Sequence, residues 1–201
     1  MTNLDALNAL KKQLRPGRVY RRGDFARWSN AVDRHLKQLV EAKFLTKLAR
    51  GLYAYPKETV FGKAPAPDNK LVEAFLKDRQ FLLASPNAYN ALGVGTTQLY
   101  NKTVVYNHKR HGDFQLGERT FSFRMKPHFP RSLSKEFLLV DLVNNIDELA
   151  EAKSAVLDRV KECAVSFDGP RLRKAIREYG SAPTRRFFSQ LLQAPKPTHV
   201  A

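Results

Sequence analysis

The sequence predicts an α+β protein in which a small helical module closed by a β-hairpin precedes a mixed domain with a small antiparallel sheet and several helices. Three observations predict it. The first third carries short amphipathic helical stretches and a hairpin signal. Pro65, Pro67 and Gly62 then interrupt the pattern, and from Leu99 the apolar period shifts to two before helical spacing returns.

In the first module, Leu4, Leu7, Leu10 and Leu14 recur at three- and four-residue steps until Arg15-Pro16-Gly17 stops the helix. Val19–Arg21 is a short extended piece, and Asp24–Trp28 a short helix anchored by Phe25 and Trp28. Ser29 is placed to cap a helix running from Asn30. There Val32, Leu36, Leu39 and Val40 form one stripe and Asn30, Asp33, Arg34, Lys37 and Glu41 the opposite face. Two strand-like runs between Phe44 and Pro56 meet at Arg50-Gly51, where glycine supplies the positive φ of a tight turn. Helix, short helix, capped helix and hairpin is the order of a winged helix-turn-helix over residues 1–60, with a linker at 61–68.

Residues 69–193 then read as the α+β domain. Its helices are expected at Asn69–Phe81, from Ser85-Pro86-Asn87 to Gly93, and at Phe137–Leu149, Ala155–Val165, Arg171–Tyr179 and Thr184–Leu192. Its strands are expected at Leu99–Tyr106, Phe114–Leu116 and Thr120–Met125, with turns at His111-Gly112-Asp113 and Gly117-Glu118. Residues 194–201 are expected to be a loose tail.

Charge narrows the function. Against 35 Lys+Arg the chain has 19 Asp+Glu, a net +16. Residues 1–63 hold 14 basic and 5 acidic groups, as one module carrying an electrostatic footprint for phosphates would. With 43% apolar residues and a mean hydropathy of −0.45, no stretch is apolar enough to span a membrane. Asp5 comes early and Lys11 and Lys12 follow the apolar positions, the reverse of a secretory signal, so a cytoplasmic protein is expected. Cys163 is the single cysteine, which excludes an intrachain disulfide and a cysteine-rich zinc site.

In helix-turn-helix proteins the N-terminal residues of the second helix reach base edges, which makes Asn30 and Arg34 the candidate base contacts, with Ser29 as cap and Lys37 on phosphate. Asp33 between them repels phosphate, accepts from cytosine, or pairs with Arg34 or Lys37. Lys47 and Arg50 fall on or near the wing tip, and Arg18, Arg21 and Arg22 are candidate backbone clamps. Tyr53 and Tyr55 alternate with Leu52 and Ala54, as side chains packed beneath the wing do. Toward the end of the chain Arg171, Arg173, Lys174, Arg177, Arg185 and Arg186 make either a second polyanion surface or the wet face of helices whose Leu172, Ile176, Phe187, Phe188 and Leu191 pack inward.

The run Leu48-Ala49-Arg50-Gly51-Leu52-Tyr53-Ala54-Tyr55-Pro56 follows a capped helix ending at Leu39-Val40-Glu41-Ala42-Lys43. It resembles the N-terminal signature of AbiEi-type antitoxins of type IV toxin-antitoxin systems. Ala84-Ser85-Pro86-Asn87-Ala88-Tyr89-Asn90-Ala91-Leu92-Gly93 resembles the helix opening that family's C-terminal domain. The resemblance implies a repressor of its own operon that binds double-stranded DNA near its promoter. It also implies a C-terminal domain that counters a nucleotidyltransferase-like toxin. A homodimer on DNA fits a repeated operator.

No catalytic residue, metal or cofactor is expected. His108, His111 and Asp113 have a metal-like spacing but sit in an expected turn and need a distant partner such as His128. Gly93-x-Gly95 lacks the third glycine of a dinucleotide loop, and Asp113 with Glu118 lacks the lysine of a metal-dependent nuclease. The alternative from another class is a protein- or RNA-interaction module using the winged helix as scaffold.

Overall fold

The computed structural model describes residues 3–94, 96 and 99–193, the side chains at 3–5 and 193 excepted. The expected tail at 194–201 and Gly95 lie outside the described residues. The architecture is α+β, in two compact units. One unit comprises residues up to Arg79 together with Gly112–Phe121; the other comprises Gln80–His111 and the chain from Ser122.

In the first unit α1 (Asn3–Gln13) leads to β1 (Val19–Arg21), a 3₁₀ turn (Arg22–Arg27), α2 (Val32–Glu41), β2 (Thr46–Ala49) and β3 (Leu52–Ala54). The strands form an antiparallel sheet in the order β1-β3-β2. Ala49 pairs with Leu52, leaving Arg50-Gly51 as a two-residue turn with Gly51 at φ 71°, as the glycine signal required. Leu10, Leu14, Tyr20, Phe25, Leu36, Leu39 and Leu45 are the core of this region, so Leu10 and Leu14 of the leucine spacing and Leu36 and Leu39 of the α2 stripe pack inward as their periodicity implied.

Three expectations are corrected here. The expected helix from Asn30 starts at Val32: Ser29 Oγ accepts from the Ala31 N–H at 3.0 Å in a local turn and meets the buried His35 Nδ1 at 2.8 Å, leaving the helix N-cap without a side-chain acceptor. The linker expected at 61–68 is partly structured, because β4 (Lys57–Thr59) and β5 (Gly62–Ala64) pair in a second hairpin whose tip is Val60-Phe61. The helix expected over 69–81 is α3 (Asp68–Leu76); Lys77 takes the left-handed conformation at φ 54° and ends it, and Phe81 enters a strand.

In chain order the remaining strands are β6 (Phe81–Ala84), β7 (Thr103–Asn107), β8 (Gly112–Leu116) and β9 (Arg119–Met125), in the sheet order β6-β7-β9-β8. The chain leaves the first unit within β9, at Phe121. Gly112 therefore opens a strand where a turn was expected, while Gly117-Glu118 turns as expected, with Gly117 at φ 67°. Gly117 and Arg119 bind back within the first unit. The Gly117 N–H donates to the Leu48 carbonyl at 2.7 Å, and the Arg119 guanidinium pairs with Asp68 and donates to the Ala66 carbonyl.

The second unit is built on α4 (Lys135–Asn144), α5 (Lys153–Ala164), α6 (Gly169–Tyr179) and α7 (Ala182–Gln193). A 3₁₀ turn, Pro86–Leu92, is capped by Ser85 and closed by Gly93 at φ 69°. The helix expected to run to Leu149 stops at Asn144 and resumes as a 3₁₀ turn over Ile146–Glu148. Every residue from Phe137 to Val143 is buried, including Asp141.

Asp141 is satisfied from three sides. Tyr106 and Tyr89 donate their hydroxyls to it at 2.7 and 2.8 Å, and Asn145 Nδ2 donates to both tyrosine oxygens and to the Asp141 carbonyl. Burial pushes the Asp141 carboxyl above its ordinary range despite those hydroxyls, and burial with the nearby carboxylate pushes both tyrosines up, so they remain donors. A carboxyl with a raised folded-state pKa favours the fold most when protonated, and that advantage is lost as pH climbs through the raised value. Asp141→Ala is expected to cost about 1–3 kcal/mol for each orphaned hydroxyl, and Asp141→Asn far less. In denaturant titrations the stability of the wild type relative to Asp141→Asn should fall as pH rises from the ordinary carboxylate range; a flat or rising difference contradicts the assignment.

Candidate nucleic-acid interface

Phe25 organises the N-terminal module. It is fully buried and meets the rings of Tyr20, Trp28 and Tyr53 at 5.7, 6.2 and 6.2 Å, the last two edge-to-face. Because Phe25 lies in the 3₁₀ turn, this knot fixes Arg22 at the start of that turn. The Arg22 N–H donates to the Gly51 carbonyl at 2.9 Å, which ties the tip of the β2–β3 hairpin beside it. Arg22 Nε and Nη2 bind Asp33 Oδ1 and Oδ2 at 2.7 and 2.6 Å, which joins the first turn of α2 to the same place.

One end of the module thus gathers Arg22, Arg50, Asp33 and the start of α2. Asn30 is exposed just before the helix and Arg34 is exposed in its first turn, with no ion-pair partner among the described residues. Lys37, one turn on, is exposed and reaches Glu41 at 3.9 Å. Asp33 takes neither of the partners its spacing suggested. It pairs with Arg22, eleven positions earlier, an association that no local signal could reveal.

Other candidate residues lie elsewhere. Arg21 is half-buried, and its backbone N–H donates to Asp24 Oδ2 at 2.7 Å. Lys47 stands within β2 opposite Tyr53, so only Arg50 is at the hairpin tip. Arg18 is at the other end of the sheet, where its carbonyl accepts from the Tyr55 N–H. Tyr53 and Tyr55 pack as expected, Tyr55 stacking on Phe44 at 4.3 Å. At that far end a groove of ≈ 410 Å³ is lined by Lys43, Phe44, Tyr55, Lys57, Glu58 and Lys63.

On α6 and α7, Arg171, Arg173, Lys174, Arg177, Arg185 and Arg186 are all exposed, while Leu172, Ile176 and Phe188 are buried. Asp168 caps α6 by accepting from the Arg171 N–H at 2.9 Å. Among the described residues no three His, Cys, Asp or Glu side chains converge as metal ligands would, and His108 stacks on Phe129 at 4.7 Å. No helix among the described residues is long and apolar enough to cross a membrane.

The Arg22 pair holds the Asp33 carboxyl below its ordinary range, chiefly by hydrogen bonding, and raises the guanidinium in turn. In a carboxyl-detected NMR titration Asp33 is expected to lose its proton below the usual aspartate range and to return to it in Arg22→Gln. An unchanged Asp33 titration in that variant would exclude the pair in solution.

Comparison with known proteins matches residues 7–163 to a family model described as "Family of unknown function (DUF6088)". No curated protein matches. Among solved structures the chain is similar to the RV2827C protein from Mycobacterium tuberculosis, at 15% identity and a TM-score of 0.58, over 92% of this chain and 74% of that one. The likeness is one of fold.

Proposed function

The chain belongs to the DUF6088 family of unknown function, and we propose that it is a DNA-binding transcriptional regulator whose first sixty residues work as a winged helix-turn-helix. One observation carries the reading: the start of α2, with Asn30 and Arg34 exposed, is held through Arg22 beside the Arg50-Gly51 turn, so that Arg34 and Arg50 are the cations without an acidic partner there among the described residues. An exposed helix N-terminus beside a basic hairpin suits a major groove and its flanking phosphates. In this reading Asn30 and Arg34 meet base edges, Lys37 and Lys47 meet phosphates, and Arg50 follows the adjoining groove, while Arg22, paired with Asp33, holds the helix start beside the hairpin. Asp33, neutralised by Arg22, repels the backbone less than a free carboxylate does.

The finer role is that of an autorepressing antitoxin in the cytoplasm, bound as a homodimer near its own promoter and set against a nucleotidyltransferase-like toxin. Its support is the resemblance at Leu48–Pro56 and Ala84–Gly93 to AbiEi-type antitoxins. A nucleotidyltransferase reading frame next to this gene would favour it. The exposed cations of α6 and α7 suit either an acidic face of such a partner or a longer DNA footprint.

A mobility-shift assay on the DNA upstream of the reading frame, at two salt concentrations, tests the core of the proposal. A shift that weakens steeply with salt is expected, because neutralised phosphates release counterions. No shift at low salt overturns it and leaves the protein- or RNA-interaction reading. Arg34→Ala is expected to cost roughly 1–3 kcal/mol and to relax sequence preference, whereas Lys47→Ala weakens all sequences alike. Unaltered preference in Arg34→Ala rejects α2 as the reading helix.

A further inference from the structure

The β4–β5 hairpin presents apolar side chains where folding gains nothing from them. Val60 and Phe61 are 93% and 98% exposed, and every other residue from Lys57 to Lys63 is exposed as well. A two-stranded hairpin without a buried face is marginal in isolation, yet this one is held in shape. Thr59 Oγ1 accepts from the Phe61 N–H at 3.3 Å and donates to the Gly62 carbonyl at 2.7 Å, with Gly62 at φ 100°. Lys63 Nζ donates to the Lys43 carbonyl at 2.7 Å, just past the C-terminal end of α2, and lies 3.8 Å from Glu58. The hairpin therefore extends the module beyond α2, beside the lysine-lined groove of Lys43, Lys57 and Lys63.

We propose that this hairpin is a second wing, whose Phe61 and Val60 wedge between base steps in the minor groove of duplex DNA while Lys57 neutralises a flanking phosphate and Lys63 holds the hairpin to the end of α2. The proposal rests on the DNA-binding reading and adds a second contact, at the opposite end of α2 from Asn30. Two features select DNA over a protein partner. A stable protein interface needs an apolar centre within about 800 Å² per partner, far more than two side chains present. A minor-groove wedge needs only one or two apolar side chains flanked by cations, and it kinks the duplex as it enters.

The test uses the upstream DNA fragment in a circular-permutation bend assay, with the full chain and its Phe61→Ala, Val60→Ser and Phe61→Trp variants. Thermal melts check that these surface changes leave the fold intact. The wild type is expected to kink the fragment by about 20–90°. Phe61→Ala should lose most of the kink and bind about tenfold more weakly, the loss expected for one stacked ring, with Val60→Ser intermediate. Phe61→Trp should keep the kink and add to the emission of Trp28 a second, exposed tryptophan emission that DNA quenches, read as the difference from the wild type. Binding without a kink, or a kink that survives in Phe61→Ala, overturns the wedge and leaves the DNA-binding reading standing. No binding by the wild type overturns both. A dimer that Phe61→Ala converts to monomer in sedimentation also overturns the wedge and assigns the tip to a protein contact.

Discussion

The N-terminal module depends on the burial of Phe25. Its ring is the point at which the first strand, the 3₁₀ turn and the hairpin strand β3 converge, through Tyr20, Trp28 and Tyr53. Removing such a ring typically costs 3–5 kcal/mol, a large share of the stability of a small domain. The consequence reaches the surface. The 3₁₀ turn that carries Phe25 inward begins at Arg22, whose backbone grips the Gly51 carbonyl and whose guanidinium grips Asp33. The relative positions of the hairpin tip and the first turn of α2 therefore follow from how one aromatic residue packs.

The legible parts of the fold were those whose signal is local. Leucines at three- and four-residue steps marked α1, the apolar stripe of Val32, Leu36, Leu39 and Val40 marked α2, and Gly51 between two apolar runs marked the first hairpin. The second hairpin was hidden for the reason that makes it interesting. With no buried face, Lys57–Lys63 has no alternation to read, and Gly62, Pro65 and Pro67 resemble a linker. The end of α3 was hidden because Lys77, and not a glycine, adopts the left-handed conformation there.

Long-range pairing was invisible in the same sense. The membership of Gly112–Phe121 in the first unit rests on contacts such as Arg119 with Asp68, 51 positions apart, and Phe75 with Phe114. The candidate interface shows the same division. Asn30, Arg34 and Lys37 were placed by helical phase, whereas the partner of Asp33 and the buried bond between Ser29 and His35 appear only once the chain is folded. Arg18, grouped with Arg21 and Arg22 by proximity in sequence, is carried to the other end of the sheet because β1 is extended.

The distribution of acids decides which part of the +16 net charge has no local counter-charge. Many of the few carboxylates are taken by nearby cations: Asp33 by Arg22, Asp68 by Arg119, Glu73 by Lys70 and Arg79, Glu148 by Lys102 and Arg124, Asp158 by Lys161. Asp141 is taken inward by two tyrosines. What remains without an acidic partner among the described residues includes Arg34, Lys47 and Arg50 on the first unit and the six cations of α6 and α7 on the second. Exposed pairs cancel at distances beyond a few ångströms, so a polyanion approaching through about 10 Å of screened solvent responds to the unpaired set. The first unit adds to that set a helix start and two hairpins on one small scaffold, and the proposed DNA contact rests on this combination of unpaired charge with projecting elements.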